Sequence, residues 1–588
     1  MTENPSRTSL SRRAVLQAGG AVAVAGYLAT AANPASAQEP SAEDRLVTYP
    51  IPEGVARNST FTVAVKNPGG QWTPVEAYNV RLKEIKLTGG DQFYQSSVAS
   101  FDFSGTVEVK VTFTKAEVEQ ARVRPLSYGI ESEVEDRSIH FTLTEPRKVV
   151  VEVNGLLYDC LHLLANAIDD DAPDPEDPGV VYFGPGVHTG GELAVQSGQT
   201  VYLAGGAVVK RKIAFNGVEN ASLRGRGVIT GVDWGAAPVR SSKNILIEGV
   251  TVMNNPTGNL CDIGESEQVT VRDVSYFSSA KWGDGIDVFC SSEVLIEGMF
   301  MRSSDDCIAL YAHRNDYYGD VRNITIRGSA LWADLAHPIN IGTHGNTEEP
   351  EVLENIVISD LDILDHREPQ QNYQGCIAIN PGDSNLVRNV RIQDVRVEDF
   401  RIGQIIHMRV AYNKSYNTSA GRGIESVFVR DMSYEGTHAD TALLLGYDAD
   451  HGIKDVVFQN FKVNGKVIAD NMAKPGWYKA SDMVPMHVNE HVTGVRFLKP
   501  ETAPSTTPPA IIAAGEARTK TGANTVYTVS ATGFPEAFEA EGLPEGLVFD
   551  TAAGVVSGAA VETGSYDVTF SAANGAGTVE HTTTFTVA

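Results

Sequence analysis

One motif recurs through the middle of this 588-residue chain and constrains its fold more than any other feature. A polar residue is followed by alternating apolar and polar positions. It reads Asn244-Ile245-Leu246-Ile247-Glu248-Gly249, then Gln268-Val269-Thr270-Val271-Arg272-Asp273. It returns at Asn323-Ile324-Thr325-Ile326, Asn355-Ile356-Val357-Ile358, Asn389-Val390-Arg391-Ile392 and Asp455-Val456-Val457-Phe458. Neighbouring starts lie 24, 32 and 34 residues apart, with two wider gaps of 55 and 66. Periods of this size mean a solenoid or a propeller. The four-stranded hairpin signature of a propeller blade is missing. Each repeat instead offers two or three short strands and turns, which is one coil of a right-handed parallel β-helix. A single coil cannot bury its own inner face, so neighbouring coils must stack, about 4.8 Å apart.

The helix is expected over 180–498. Before it, Phe61-Thr62-Val63-Ala64-Val65 and Val107-Glu108-Val109-Lys110-Val111 alternate as half-buried strands do. They predict an N-terminal β-sandwich over 45–165. After it, Glu501 to Pro509 reads as a linker over 499–509. Residues 510–588 resemble the immunoglobulin-like modules appended to secreted bacterial enzymes, which act as spacers or weak binders. The predicted class is thus all-β: a parallel β-helix with a sandwich at one end and an immunoglobulin-like module at the other.

Residues 1–37 read as an address. Arg12-Arg13 precede a mild apolar run that ends near Ala35-Ser36-Ala37. This pattern predicts a twin-arginine export signal, a secreted protein, and no membrane attachment once the signal is removed. The chain carries 47 Lys+Arg against 74 Asp+Glu, a net charge of −27. Nucleic acid is not expected as a partner, because phosphate binding needs clustered positive charge. Five cysteines exclude a small disulfide scaffold.

Chemistry enters through a second strand of each coil. Asp284-Gly285-Ile286-Asp287-Val288, Asp306-Cys307-Ile308-Ala309-Leu310 and His337-Pro338-Ile339-Asn340-Ile341 align by their apolar pairs. The alignment puts Asp284, Asp306 and His337 in one column on successive coils, with Asp305 beside Asp306. Carboxylates one coil apart repel, so one holds a proton near neutral pH while others stay ionised. A glycosidase needs that divergence: an acid for the leaving oxygen and a base for water. Clustered carboxylates also suit calcium, as in β-helix lyases, but those use a basic proton acceptor and this column has none. No metal and no cofactor is expected. Secondary groove candidates for substrate binding are Asp287, His313, Trp332, Tyr373, Asn380, His407 and Arg409, with Tyr311, His344 and Tyr447 beside them.

These motifs resemble the polygalacturonases of glycoside hydrolase family 28. Trp282-Gly283-Asp284-Gly285 is similar to the family's Asn-Thr-Asp-Gly, Ser304-Asp305-Asp306-Cys307 to its Asp-Asp segment, and Ala336-His337-Pro338 to its Gly-His-Gly. The resemblance implies Asp305 as general acid, Asp284 and Asp306 as the pair that activates water, His337 as the support of the acid, and inversion at the anomeric carbon. One motif is missing. Where the family has Arg-Ile-Lys to grip a uronate carboxylate, this chain reads Gln374-Gly375-Cys376-Ile377-Ala378-Ile379-Asn380. Arg409, Arg367 and Lys414 are the replacements at hand. The N-terminal sandwich is reminiscent of the dextranase and isopullulanase family of the same clan. The expected function is therefore a secreted inverting hydrolase of a polysaccharide, with a neutral glycan such as an α-glucan favoured over a polygalacturonase-type pectin substrate. A non-catalytic glycan-binding β-helix is the alternative of another class.

Overall fold

The computed structural model describes residues 44–86, 89–370, 372–473 and 485–588. The predicted export signal lies outside them. Among the described residues no helix is long and apolar enough to cross a membrane.

Parallel strands coil from Val180–Phe183 to Arg496–Leu498, in one long sheet and a second, 11-stranded sheet. The motif read from sequence supplies one rung per coil. Ile245, Val269, Val294, Ile324, Ile356, Val390, Val427 and Val456 pair in unbroken register. All face the core and are buried. β-branched and aliphatic side chains suit this stacked, two-period surface.

The polar residue that opens each motif has its own physical reason. Asn244, Gln268, Asn323, Asn355, Asn389 and Asp455 all have φ between 56° and 58° except Asn389 at 53°. Each turns the corner in the left-handed region, which asparagine tolerates better than most residues. Their side chains also bond between coils: Asn355 Nδ2 donates to Asn323 Oδ1 at 2.9 Å, and Asn389 Nδ2 to Asn355 Oδ1 at 2.8 Å. Glu293 and Ser426 occupy the same corner with φ 52° and 57°. They fill the intervals in which the sequence motif is hard to read.

At the N-terminal end, a six-stranded and a five-stranded sheet enclose Phe101, Phe103, Phe113 and their neighbours. Tyr78, Val80, Val98 and Leu164 of this sandwich then pack on Met253, Phe277, Phe300 and Trp332 of the helix. Trp332 is only 1% exposed. Its ring lies 4.0 Å from the Arg302 guanidinium, and its Nε1 donates to Asp334. The expectation that Trp332 lines the groove is therefore corrected: a large apolar ring one strand away from the groove finished the sandwich interface instead.

The C-terminal module is docked, which departs from a simple spacer. Val526, Ala553 and Val555 bury against Leu295 and Val357 of the helix. Asp550 pairs with Arg327, and Thr528 N donates to Glu293 Oε2 at 2.8 Å. The segment before it is tied down as well, since Gln459 donates to the Thr502 carbonyl at 2.9 Å and Arg496 to that of Pro504 at 2.7 Å.

Candidate active site

The 11-stranded sheet positions the carboxylates. Ile286 pairs with Ile308 and Ile308 with Ile339, so the residues two places earlier, Asp284, Asp306 and His337, stack on successive coils. They precede their strands, which frees them from strict alternation and lets Asp305 and Asp306 share one side. Two glycines permit the approach. A Cβ on Gly285 would lie 2.2 Å from the Cys307 carbonyl oxygen, and one on Gly283 2.3 Å from Ser304 Oγ. Asp284 thereby comes close enough for its Oδ1 to accept from Asp306 N at 3.2 Å. One oxygen from each of Asp284, Asp305 and Asp306 lies within 4.8 Å of the others.

Asp306 is the anchor. Its Oδ1 accepts from His337 N at 2.9 Å and Nδ1 at 2.7 Å. Its Oδ2 accepts from Asn340 Nδ2 at 2.9 Å and from the Tyr311 hydroxyl at 3.1 Å. Those four bonds fill the lone-pair positions of the carboxylate. His337 faces acceptors on both ring nitrogens, Asp306 Oδ1 and, at 2.7 Å, the Tyr373 carbonyl oxygen. Only the imidazolium can donate to both. Burial works against this pair, yet mutual attraction wins: Asp306 is held below its ordinary pKa and His337 is pushed up to about 9. The histidine was expected to support the acid Asp305. Its ring hydrogen-bonds Asp306, the neighbour, because the residue that stacks on His337 is the one that shares its column.

Asp284 and Asp305 keep partial access to solvent. Burial, then the charge of Asp306, raises Asp305 to about 7. Burial, then Asp287, Asp305 and Asp306, pushes Asp284 well above the ordinary range, while the charge of Arg314 opposes the shift. The two belong to one coupled set, whose protons are shared. A divalent cation could bridge oxygens at this spacing, but Asp306 could offer only atoms already engaged by His337, Asn340 and Tyr311.

The other predicted residues separate into two groups. Tyr373 and Asp287 support the cluster. The Tyr373 hydroxyl lies 3.2 Å from Asn340 Nδ2 and 3.0 Å from Thr343 Oγ1. Buried Asp287 accepts from Asn259 at 3.0 Å, and burial raises it to about 7. The rest are buried or engaged elsewhere. Asn380 is 1% exposed and its amide finds no partner. His407 is fully buried, bonds Gln404 Oε1 at 2.7 Å, and is held well below its usual pKa by burial. His313 stacks on Tyr318 with centroids 4.1 Å apart and bonds the Tyr317 carbonyl within its own loop. Arg409 donates to the Asn372 carbonyl at 2.7 Å.

Sequence reasoning missed Trp234 and Trp282. They are 60% and 52% exposed, and both have positive φ, 53° and 55°. A bulky residue is uncommon there, and such strain concentrates at functional sites. Their neighbours Asp233 and Lys281 each bridge to Thr257, which places the two indoles two coils apart on one edge of the groove. The repeated tryptophan before a glycine-rich turn was the available signal. Arg314 was missed as well, because no motif marks it.

Comparison with known proteins supports the class this geometry defines, a parallel β-helix with a carboxylate cluster on one face. The family profile "Glycosyl hydrolases family 28" matches residues 236–475, and the profile "Putative Ig domain" matches 500–588. A "Probable polygalacturonase" of Arabidopsis thaliana is 30% identical over 158 residues, 25% of this chain and 32% of that protein. A "Probable endo-xylogalacturonan hydrolase A" of Aspergillus fumigatus is 25% identical over 190 residues, 29% of this chain and 44% of that protein. The chain thus spans less than half the length of either relative. Dex49A from Penicillium minioluteum shares the fold at 13% identity, with a TM-score of 0.52 over 77% of this chain and 96% of that one. Residues 236–475 are thus similar to the family 28 glycoside hydrolases of the polygalacturonase superfamily.

Proposed function

We propose that the protein is a polysaccharide hydrolase that cleaves glycosidic bonds by general acid–base catalysis. The observation that carries this reading is the cluster of Asp284, Asp305 and Asp306 within 4.8 Å, with one member neutralised by a histidinium and two still open to substrate. Asp305 acts as general acid. It carries a raised pKa and no hydrogen-bonded cation. Asp284 holds the attacking water; burial and its carboxylate neighbours raise its pKa, Arg314 opposes that rise, and it accepts the water's proton only once ionised. Trp282 and Trp234 offer stacking faces for successive sugars. The test is release of reducing ends from a panel containing polygalacturonate, dextran, pullulan, arabinan and fructans. Release from none of them overturns the reading in favour of a binding β-helix.

The neutral-glycan reading stands on the coils after His337. The position of the missing cation pair holds Ala378 beside buried His407, and Arg409 is engaged with Asn372. With Arg409 turned to a carbonyl, that position favours a neutral sugar of the kind an α-glucan presents over a uronate. The names of the relatives favour the pectin-type alternative. The twin-arginine motif supports export and action outside the cell.

Inversion is the outcome that the family resemblance implies. Proton NMR of the first product is expected to show the inverted anomer. The retained anomer would make Asp284 the nucleophile.

Turnover should depend on pH with a definite sign. A carboxyl raised to about 7 still holds its proton below that pH and loses it above. The pH profile of kcat is expected to be bell-shaped, rising as Asp284 ionises and falling about tenfold per unit once Asp305 has lost its proton. A profile level to pH 9 would remove Asp305 from the acid role.

A further inference from the structure

The N-terminal sandwich does more than cover one side of the helix. Its strand Ala77–Ile85 reaches the edge of the groove, and there it is fastened. Asn254, at a helix corner with φ 57°, accepts from Arg81 N at 2.8 Å and donates to the Asn79 carbonyl at 2.9 Å. The junction encloses a cleft of about 490 Å³, lined among others by Arg81, Lys83, Asp91, Phe93 and Lys281.

The charge of this cleft is opposite to that of the chain. Three cations face one carboxylate. Lys83 is 6% exposed and donates to the Ala280 carbonyl at 3.2 Å; Asp91 is 3.9 Å away. Arg81 lies 3.6 Å over the Phe93 ring and Lys281 5.0 Å from the Trp282 ring. Among the described residues neither Arg81 nor Lys281 has a carboxylate within 4.0 Å. Lys83 is buried with its carboxylate partner only at 3.9 Å, and Arg81 and Lys281 stand exposed at the mouth, so the cleft presents an excess of positive charge.

The cleft also runs into the reacting segments. Ala280 and Lys281 lead through Trp282 to Asp284. The Ala280 carbonyl that receives Lys83 also accepts from Ser304 Oγ at 2.9 Å, next to Asp305. Lys83 and Asp305 are near enough for the carboxylate to favour the charged lysine.

Building on the hydrolase reading, we propose that this cleft is a subsite for an anionic group of the glycan, a sugar carboxylate or sulfate ester, bound by Arg81, Lys83 and Lys281. Together with the uncharged position beyond His337, it makes the substrate a heteropolysaccharide: an acidic sugar on the sandwich side of the scissile bond and a neutral one on the other. The missing Arg-Ile-Lys cations have been moved to a different wall, built by a different domain.

The test uses the full chain carrying Asp305→Asn, so that binding is read without turnover and independently of whether the protein is a hydrolase. Titration calorimetry at low salt compares trigalacturonate, a sulfated trisaccharide and neutral maltotriose, before and after Arg81→Ala with Lys281→Ala. Both side chains are at the cleft mouth, so folding is expected to persist; a thermal melt checks it, and Lys83→Met is the second variant. At least one anionic probe should weaken about tenfold per cation removed and lose affinity with salt, and the probe that does so tells carboxylate from sulfate. Maltotriose should be unchanged. Unaltered binding of both anionic probes, or equal loss for maltotriose, overturns the proposal.

Discussion

Asp305→Asn is expected to lower turnover by at least about 100-fold while leaving the fold intact, the low end for loss of one general acid. The reasoning separates two neighbouring aspartates. Asp305 is partly open, and among the described residues its Oδ1 accepts only from Asp306 N, at 3.2 Å. An amide oxygen accepts there equally well, so the change removes a proton donor and little else. Asp306→Asn differs in kind. It places an NH2 group among the four donors that hold Asp306, and it strips the counter-charge from a buried imidazolium. That variant should lose stability as well as activity. Comparing kcat and urea midpoints of the two variants checks the assignment. Near-native turnover in Asp305→Asn would exclude it as the acid.

The sequence made the backbone of this site legible because its constraints are local and repeated. The left-handed corners at Asn323, Asn355 and Asn389 and the apolar rungs after them recur with each coil, and together they announce a stacked β-helix. The same register brought Asp284, Asp306 and His337 into one column. What stayed hidden depends on side-chain direction and on contacts far apart in the chain. Trp332, His407 and Asn380 are polar or aromatic residues at the right coils, yet they are buried, and periodicity does not tell which loop covers a strand. The pairing of His337 with Asp306 rather than Asp305 turned on a single step in register. Lys83 is 222 residues from Asp305 in sequence, and only the docking of the sandwich makes them neighbours.

That docking holds a buried charge system around Arg302, beside the Arg124–Glu398 pair, and its loss is expected to have a large effect on stability. Arg302 is wholly buried. Its Nε and Nη2 donate to the two oxygens of Asp334 at 2.8 and 3.1 Å, and its Nη1 donates to the Leu157 carbonyl of the sandwich at 2.8 Å. Asp334 also receives Arg401 at 2.9 Å and Trp332 Nε1 at 3.1 Å. Burial alone would raise Asp334, yet the two guanidinium groups hold it below its ordinary pKa. Removing Arg302 leaves a buried carboxylate short of its bidentate partner and the Leu157 carbonyl with the weak Cys160 thiol donor at 3.4 Å. Breaking a buried pair costs about 3–5 kcal/mol. Arg302→Ala is therefore expected to lower the urea midpoint, with hydrogen exchange rising first where the sandwich meets the helix. A double variant, Arg302→Ala with Asp334→Ala, should be less destabilised than the sum of the two single changes, because no uncompensated charge remains. Strict additivity would show that Arg302 and Asp334 act apart, and that the apolar packing around Trp332, rather than this ion pair, fastens the sandwich to the helix.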